Sequence, residues 1–148
     1  MSRSDRPRRQ ARLLAAGLLW LVGACASARP YDVLVDPGHS PARPGAASAH
    51  GHPEHGYNRR FVDRLVAVLQ RQGVRVLRSD EVGAELSLTD RTARSGDARL
   101  FLSIHHDSIQ QDWIDRGWRR HFHGYALFVS MRNPASEASL ACATRLGD

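Results

Sequence analysis

Two apolar runs in this 148-residue chain end directly in histidine, and that pattern constrains the fold more than any other. Tyr31 to Asp36 (YDVLVD) reads as a buried strand and leads into Pro37-Gly38-His39. Leu100 to Ile104 (LFLSI) reads as a second strand and leads into His105-His106-Asp107. Short continuous apolar runs bounded by Gly, Pro and polar residues fit strands covered on both faces. A histidine at the end of such a strand projects its imidazole from a rigid base. Glu54 follows His39 by 15 residues, in a loop stretch without an apolar run. Two histidines and a glutamate form a His2Glu set, one of the open catalytic zinc arrangements. Its fourth position is left for water, which zinc acidifies towards neutral pH.

The remaining pattern alternates strands with helices. Residues 26–30 read as a linker and 41–56 as a Pro-, Gly-, Ala- and His-rich loop. Asn58 to Gln72 predicts a helix with Phe61, Leu65, Val68 and Leu69 on one face, ended by Gly73 in the left-handed conformation. Val74 to Leu77 predicts a short strand, and Ser87-Leu88-Thr89-Asp90 resembles a capping box opening a helix that runs to Ser95. Residues 108–123 are polar with three bulky aromatics, Trp113, Trp118 and Phe122, and carry no periodicity that assigns them. Tyr125 to Ser130 (YALFVS) predicts a fourth strand and Ala135 to Leu146 a last helix. This is an α/β pattern, expected as a three-layer αβα fold with a mostly parallel or mixed sheet and ligands at the carboxyl ends of strands. The sequence stops after a helix with no final strand, so the C-terminal part of the domain is expected to be missing.

Net charge is +6, from 21 basic and 15 acidic residues. Residues 1–24 hold five arginines and one aspartate, which leaves the rest near +2, and every basic residue is arginine. A nucleic-acid footprint is therefore not expected. Arg3, Arg6, Arg8, Arg9 and Arg12 form a positive n-region, and Leu13 to Gly23 forms an apolar h-region, too short to span a bilayer and suited to a signal peptide. Val22-Gly23-Ala24-Cys25 resembles a bacterial lipobox, in which Cys25 is lipidated; ordinary cleavage after Ala26 or Ala28 is the alternative. Residues 1–25 are thus read as signal peptide and lipobox, and the protein as exported to the periplasm or cell envelope. Cys142, in a helical pattern, is expected as a small buried residue rather than a catalytic or disulfide cysteine.

The strand VLVDPGHS, then Glu54 at +15 and Asn58 at +19 from His39, then RTARSGDARLFLSIHHDS, together resemble the zinc-dependent N-acetylmuramoyl-L-alanine amidases of the amidase-3 type. The resemblance covers residues 31–146 and makes 31–148 the catalytic domain. It implies Zn2+ held by His39, Glu54 and His105, and peptidoglycan as partner. It implies hydrolysis of the amide between the lactyl group of N-acetylmuramic acid and L-alanine. A second carboxylate, not a ligand, should serve as general base and then as proton donor to the leaving amine. In the family that residue is a glutamate on a late strand, which this chain does not reach. Glu137 is the only acidic residue between Asp115 and Asp148, and the role is not transferred to it. The chain is read as a fragment of an active amidase, or else as a degenerate, inactive member. The rival function is a non-catalytic, peptidoglycan-binding lipoprotein of the same fold. A protein activator is left open.

Each residue also has a plainer reading. His39 is a capping or core histidine if Glu54 and His105 are elsewhere, and Glu54 alone is a solvated loop residue. His50, His52 and His55 crowd the same loop and are read as solvated. Asp36 is expected to orient His39 or cap the turn, a supporting role that ligating histidines need. Asn58 is read as a helix cap. His106 is expected to point away from His105 as a structural or substrate-facing residue, with Asp107 beside it; the family usually has Ala-Asn or Ala-Asp there. Arg91 is a surface residue or a structural anchor. Trp113 and Trp118 contact glycan, form a lid or pack in the core.

Overall fold

A computed structural model describes residues 29–81 and 86–148. The signal peptide and lipobox readings, Cys25 included, lie outside the described residues. None of the described helices is long and apolar enough to cross a membrane.

The fold is α/β. Strand β1 (Tyr31–Pro37) is central in a three-stranded sheet of order β2-β1-β3, with β2 at Val76–Arg78 and β3 at Ala98–Ile104. β1 and β2 run parallel, with Val33 opposite Val76 and Val35 opposite Arg78. The central place of β1, with a strand on each edge, suits its apolar middle, Val33-Leu34-Val35, in which Leu34 and Val35 are fully buried. Helix α1 (Glu54–Arg71) crosses from β1 to β2, α2 (Leu88–Ala93) precedes β3, and α3 (Gln111–Asp115) and α4 (Ser136–Gly147) follow it.

The chain divides into two compact units. One comprises the described residues through Asp36 together with Leu65–Leu102; the other comprises Pro37–Arg64 and Ser103–Asp148. In the first, Leu34, Val35, Val66 and Ala98 form the buried apolar set, with Asp36 and Ser79 as buried polar residues. In the second, Pro37 and Val62 are buried beside polar Ser40, Glu54, His55 and Asn58. Burying one valine contributes roughly 1.5–3 kcal/mol. The second unit therefore has little apolar burial to offset its polar groups, and their hydrogen bonding decides its structure.

Several local expectations hold. Ser87 and Asp90 form the capping box of α2. Gly73 has φ 77°, as a helix-ending glycine should. Others need correction. Helix α1 starts at Glu54, not Asn58. Its weak helix formers (His55-Gly56-Tyr57) hide the start, but two loop carbonyls supply what the sequence cannot show. The N–H groups of a first turn lack intrahelical partners; here Glu54 donates to Ala46 O and His55 to Pro44 O, at 2.8 and 2.9 Å. The buried face of α1 carries Asn58, Val62 and Val66, whereas Phe61 and Val68 are 49% and 45% exposed. The true stripe includes a polar residue, so counting apolar residues rotated it. Tyr125 to Ser130 is not a strand. Apolar alternation makes a strand only where a neighbouring strand accepts its backbone groups, and among the described residues this segment joins none; Phe128 is 91% exposed. Residues 108–123 contain α3 and a 3₁₀ turn at Trp118–His121. Cys142 is half-buried on α4.

Asp32 and Arg75 join the start of β1 to the approach to β2. The Arg75 guanidinium donates to both Asp32 oxygens, at 2.9 and 3.1 Å, and its backbone N–H adds a third bond at 3.0 Å. These bonds lower the Asp32 pKa from 3.8 to about 2. A lowered carboxyl pKa contributes stability that is complete above the unfolded value and is lost as pH falls through the folded one. Asp32→Asn is expected to be less stable than wild type at neutral pH. The gap should close between pH 3.8 and about 2, as read from urea melts at stepped pH. A gap that does not change across this window would show that the pair contributes nothing.

Candidate metal centre

The centre is built within the unit of residues 37–64 and 103–148. His39 follows β1, Glu54 opens α1, and His105 follows β3. Ligand-capable atoms of the three lie within 4.8 Å of one another. His39 Nε2 is 3.0 Å from Glu54 Oε2, and His105 Nδ1 is 3.0 Å from Glu54 Oε1. The two imidazoles meet edge to face, with ring centroids 5.0 Å apart. Glu54 is 7% exposed, while the His39 and His105 side chains are 32% and 50% exposed. The carboxylate is thus the floor of the site and the imidazoles are its open rim.

Glu54 is held by neutral donors. Oε1 accepts from the His106 backbone N–H at 3.1 Å and from Asn58 Nδ2 at 3.4 Å, and Oε2 accepts from the Ala46 N–H at 3.3 Å. Burial on its own would raise the Glu54 pKa, but the His106 and Ala46 N–H groups, His105 and Asn58 outweigh it and hold the pKa below the usual carboxylate value. The group is an anion near neutral pH.

Two glycines make room for the His39 and His105 rings. A Cβ on Gly38 would lie 2.4 Å from Cε1 and Nε2 of His105. A Cβ on Gly45, where φ is +79°, would lie 2.6 Å from His39 Cδ2 and 2.7 Å from Glu54 Oε2. The Gly38 backbone is fixed as well. Its N–H donates to Ile104 O at 2.8 Å, and its carbonyl accepts from Asn58 Nδ2 at 3.0 Å and His55 Nδ1 at 3.1 Å. His39 itself has φ 67°, a left-handed conformation that is strained for any residue with a Cβ. Two nitrogens and a carboxylate oxygen, converging where glycines leave space, fit the donor preferences of zinc.

Residues 33–148 match the amidase-3 family, N-acetylmuramoyl-L-alanine amidase. The chain belongs to this family. No curated protein matches it. Among solved structures it is similar to the N-acetylmuramoyl-L-alanine amidase AmiC2 of Nostoc punctiforme, at 26% identity and a TM-score of 0.49. That similarity covers 55% of this chain and 47% of the other, so the chain spans about half the length of that amidase.

In this amidase-family chain the other expected site residues have different surroundings, and Asn58 and His106 both donate to Glu54. Asp36 belongs to the other unit, where Arg91 Nη1 donates to it at 3.0 Å and Ser79 Oγ also donates to it. Arg91 anchors it there. Asn58 is no cap but a fully buried residue one turn into α1. His106 sets its ring nitrogen Nδ1 2.7 Å from Asn58 Oδ1. Asp107 is exposed and outside the ligand group. His50 and His52 are exposed. His55 is buried, against expectation, because its Nδ1 serves the Gly38 carbonyl. Trp113 stacks on Phe122 with centroids 4.8 Å apart, and Trp118 lies 6.4 Å from Trp113. The sequence reading missed Gly38, Gly45 and His55; the PGH and PG steps were the available signal, since a glycine beside a candidate ligand marks close approach.

Gly38→Ala is expected to weaken zinc binding by roughly tenfold or more, as displaced ligand orientation does. Gly96→Ala, where an added Cβ meets nothing within 4 Å, is the control. Competition with a chromophoric chelator measures both; equal affinities would remove Gly38 from the argument. The strain at His39 makes a separate prediction. Metal-free His39→Gly should be more stable than His39→Ala by about 1 kcal/mol, because only glycine adopts positive φ without cost. Denaturant midpoints of the two variants decide it.

Proposed function

We propose that this chain carries the zinc site of a peptidoglycan amidase, which hydrolyses the amide between the lactyl group of N-acetylmuramic acid and L-alanine of the stem peptide. The observation that supports it is the convergence of His39, Glu54 and His105 within 4.8 Å, in a chain of this family. These three residues would hold the ion. Bound there, zinc supplies Lewis-acid polarisation of a carbonyl and acidification of water.

The chain's own residues do the rest. Glu54, an anion on the floor of the site, offers negative charge to a cation, and its ion-pair partners among the described residues are His39 and His105 rather than arginine. The half-exposed rings of His39 and His105 leave the rim open to a bulky polymer. Gly38 and Gly45 keep the approach to the ligands clear of side chains. The substrate lies outside the cytoplasm, so we place the protein in the cell envelope, exported through residues 1–25 and anchored through lipidated Cys25. The general base that accepts and returns the proton is expected from a second carboxylate outside the ligand set.

The test is zinc-loaded gene product on purified sacculi, with an active homologue alongside. Release of peptides that begin with L-alanine, seen by mass spectrometry, supports the reading. Zinc binding without such release, while the homologue releases them, sinks it. Co-sedimentation with sacculi would then favour the non-catalytic, peptidoglycan-binding lipoprotein. Glu54→Gln should weaken zinc binding by more than the roughly 10–100-fold typical of losing an outer partner, and abolish release.

A further inference from the structure

The Asn58 side chain is fully buried and both ends of its amide are committed. Nδ2 donates to Gly38 O at 3.0 Å and to Glu54 Oε1 at 3.4 Å. Both partners are acceptors only, so a flipped amide would set its oxygen against two oxygens. Oδ1 therefore faces His106 Nδ1, 2.7 Å away. Because Oδ1 only accepts, Nδ1 must carry the hydrogen. The His106 ring is flanked by Tyr57 and Phe61, with centroids 6.0 and 6.1 Å away. The same residue's backbone N–H donates to Glu54 Oε1 at 3.1 Å. His106 thus reaches Glu54 twice, directly through its main chain and indirectly through Asn58.

The i, i+4 spacing on α1 makes this link short. Glu54 and Asn58 share one helix face, one turn apart. The His106 and Ala46 N–H groups and Asn58 together hold the Glu54 carboxylate against rotation about its terminal bond, and Asn58 adds its share only while its own amide is fixed. Gly38 O and His106 Nδ1–H supply that fixation from opposite ends.

We propose that His106 is a positioning residue for the Glu54 carboxylate: through Asn58 it sets the orientation in which Glu54 faces His39 and His105. This rests on the metal-centre reading above. His106 is adjacent to one ligand in sequence and two bonds removed from another in space, so its loss loosens the ligand set rather than removing a ligand.

The full chain, His106→Ala and His106→Gln are compared in zinc competition titrations, in cobalt-substituted visible spectra and in melts of the metal-free protein. His106→Ala should bind zinc roughly 10–100-fold more weakly and show an altered cobalt ligand-field band. His106→Gln, whose amide can donate to Asn58 Oδ1, should recover much of both. A merely structural role would lower the metal-free melting temperature and leave affinity and spectrum unchanged, which would overturn the proposal. If His106→Ala does not fold, 15N imidazole spectra of wild type decide: a neutral ring protonated on Nδ1 supports the link, and one protonated on Nε2 overturns it. Wild type that binds no zinc overturns the metal-centre reading and this proposal with it. Wild type that binds zinc, with His106→Ala equally tight, overturns this proposal alone.

Discussion

The buried carboxylate of Glu54 is the constraint on which the site depends. A carboxylate removed from water is strongly unfavourable unless donors replace its hydration. Here the replacements come from separate segments: the Ala46 N–H from the loop, Asn58 from α1, and the His106 N–H from the end of β3. The His39 and His105 rings meet the same two oxygens. Satisfying one anion therefore fixes the loop, the helix start and the strand end together. The fully buried apolar set of this unit, Pro37 and Val62, is too small to do so.

Gly38 extends the same logic to the backbone. Its N–H, its carbonyl and its vacant Cβ position are all in use, by Ile104, by Asn58 and His55, and by the His105 ring. A strand that must end with its backbone against an imidazole can carry only glycine there. The next residue, His39, then takes up a left-handed conformation at φ 67°. Strain of this kind, costing about 1–3 kcal/mol, persists where surrounding bonds over-determine it. The bonds to Gly38 are those bonds, so the residue next to His39 carries the constraint that aims its ring.

Much of this was legible in the sequence, and the divisions are physical. β1 and β3 announced themselves because buried strands must be apolar, and the Ser87 cap because its hydrogen bonds are local. His39, Glu54 and His105 were found as residue types in a spacing. The start of α1 was not legible, because the carbonyls that cap it, Pro44 and Ala46, are brought there by a loop. Asn58 reads as a cap from its type alone; only the fold shows it buried under Glu54. The YALFVS alternation says that a segment could be a strand, but pairing requires a partner edge that no local pattern encodes.

Asp36 and Glu54 show why a buried acid is not by itself a site. Asp36 lies near the end of β1 and Glu54 opens α1; both are buried, and both read as supporting or ligating carboxylates in the sequence. Asp36 lies 3.0 Å from the Arg91 guanidinium, a permanent cation whose side chain is itself only 11% exposed. Its charge is cancelled in place, and a second cation would gain little by approaching it. Glu54 is held by amide N–H groups and an asparagine, which stabilise the anion without neutralising it. It keeps a full negative charge in a poorly hydrated floor, where Coulomb attraction is stronger than in water. The choice of neutral donors at one carboxylate and arginine at the other is what separates an acid free to attract a cation from one that ties the fold together.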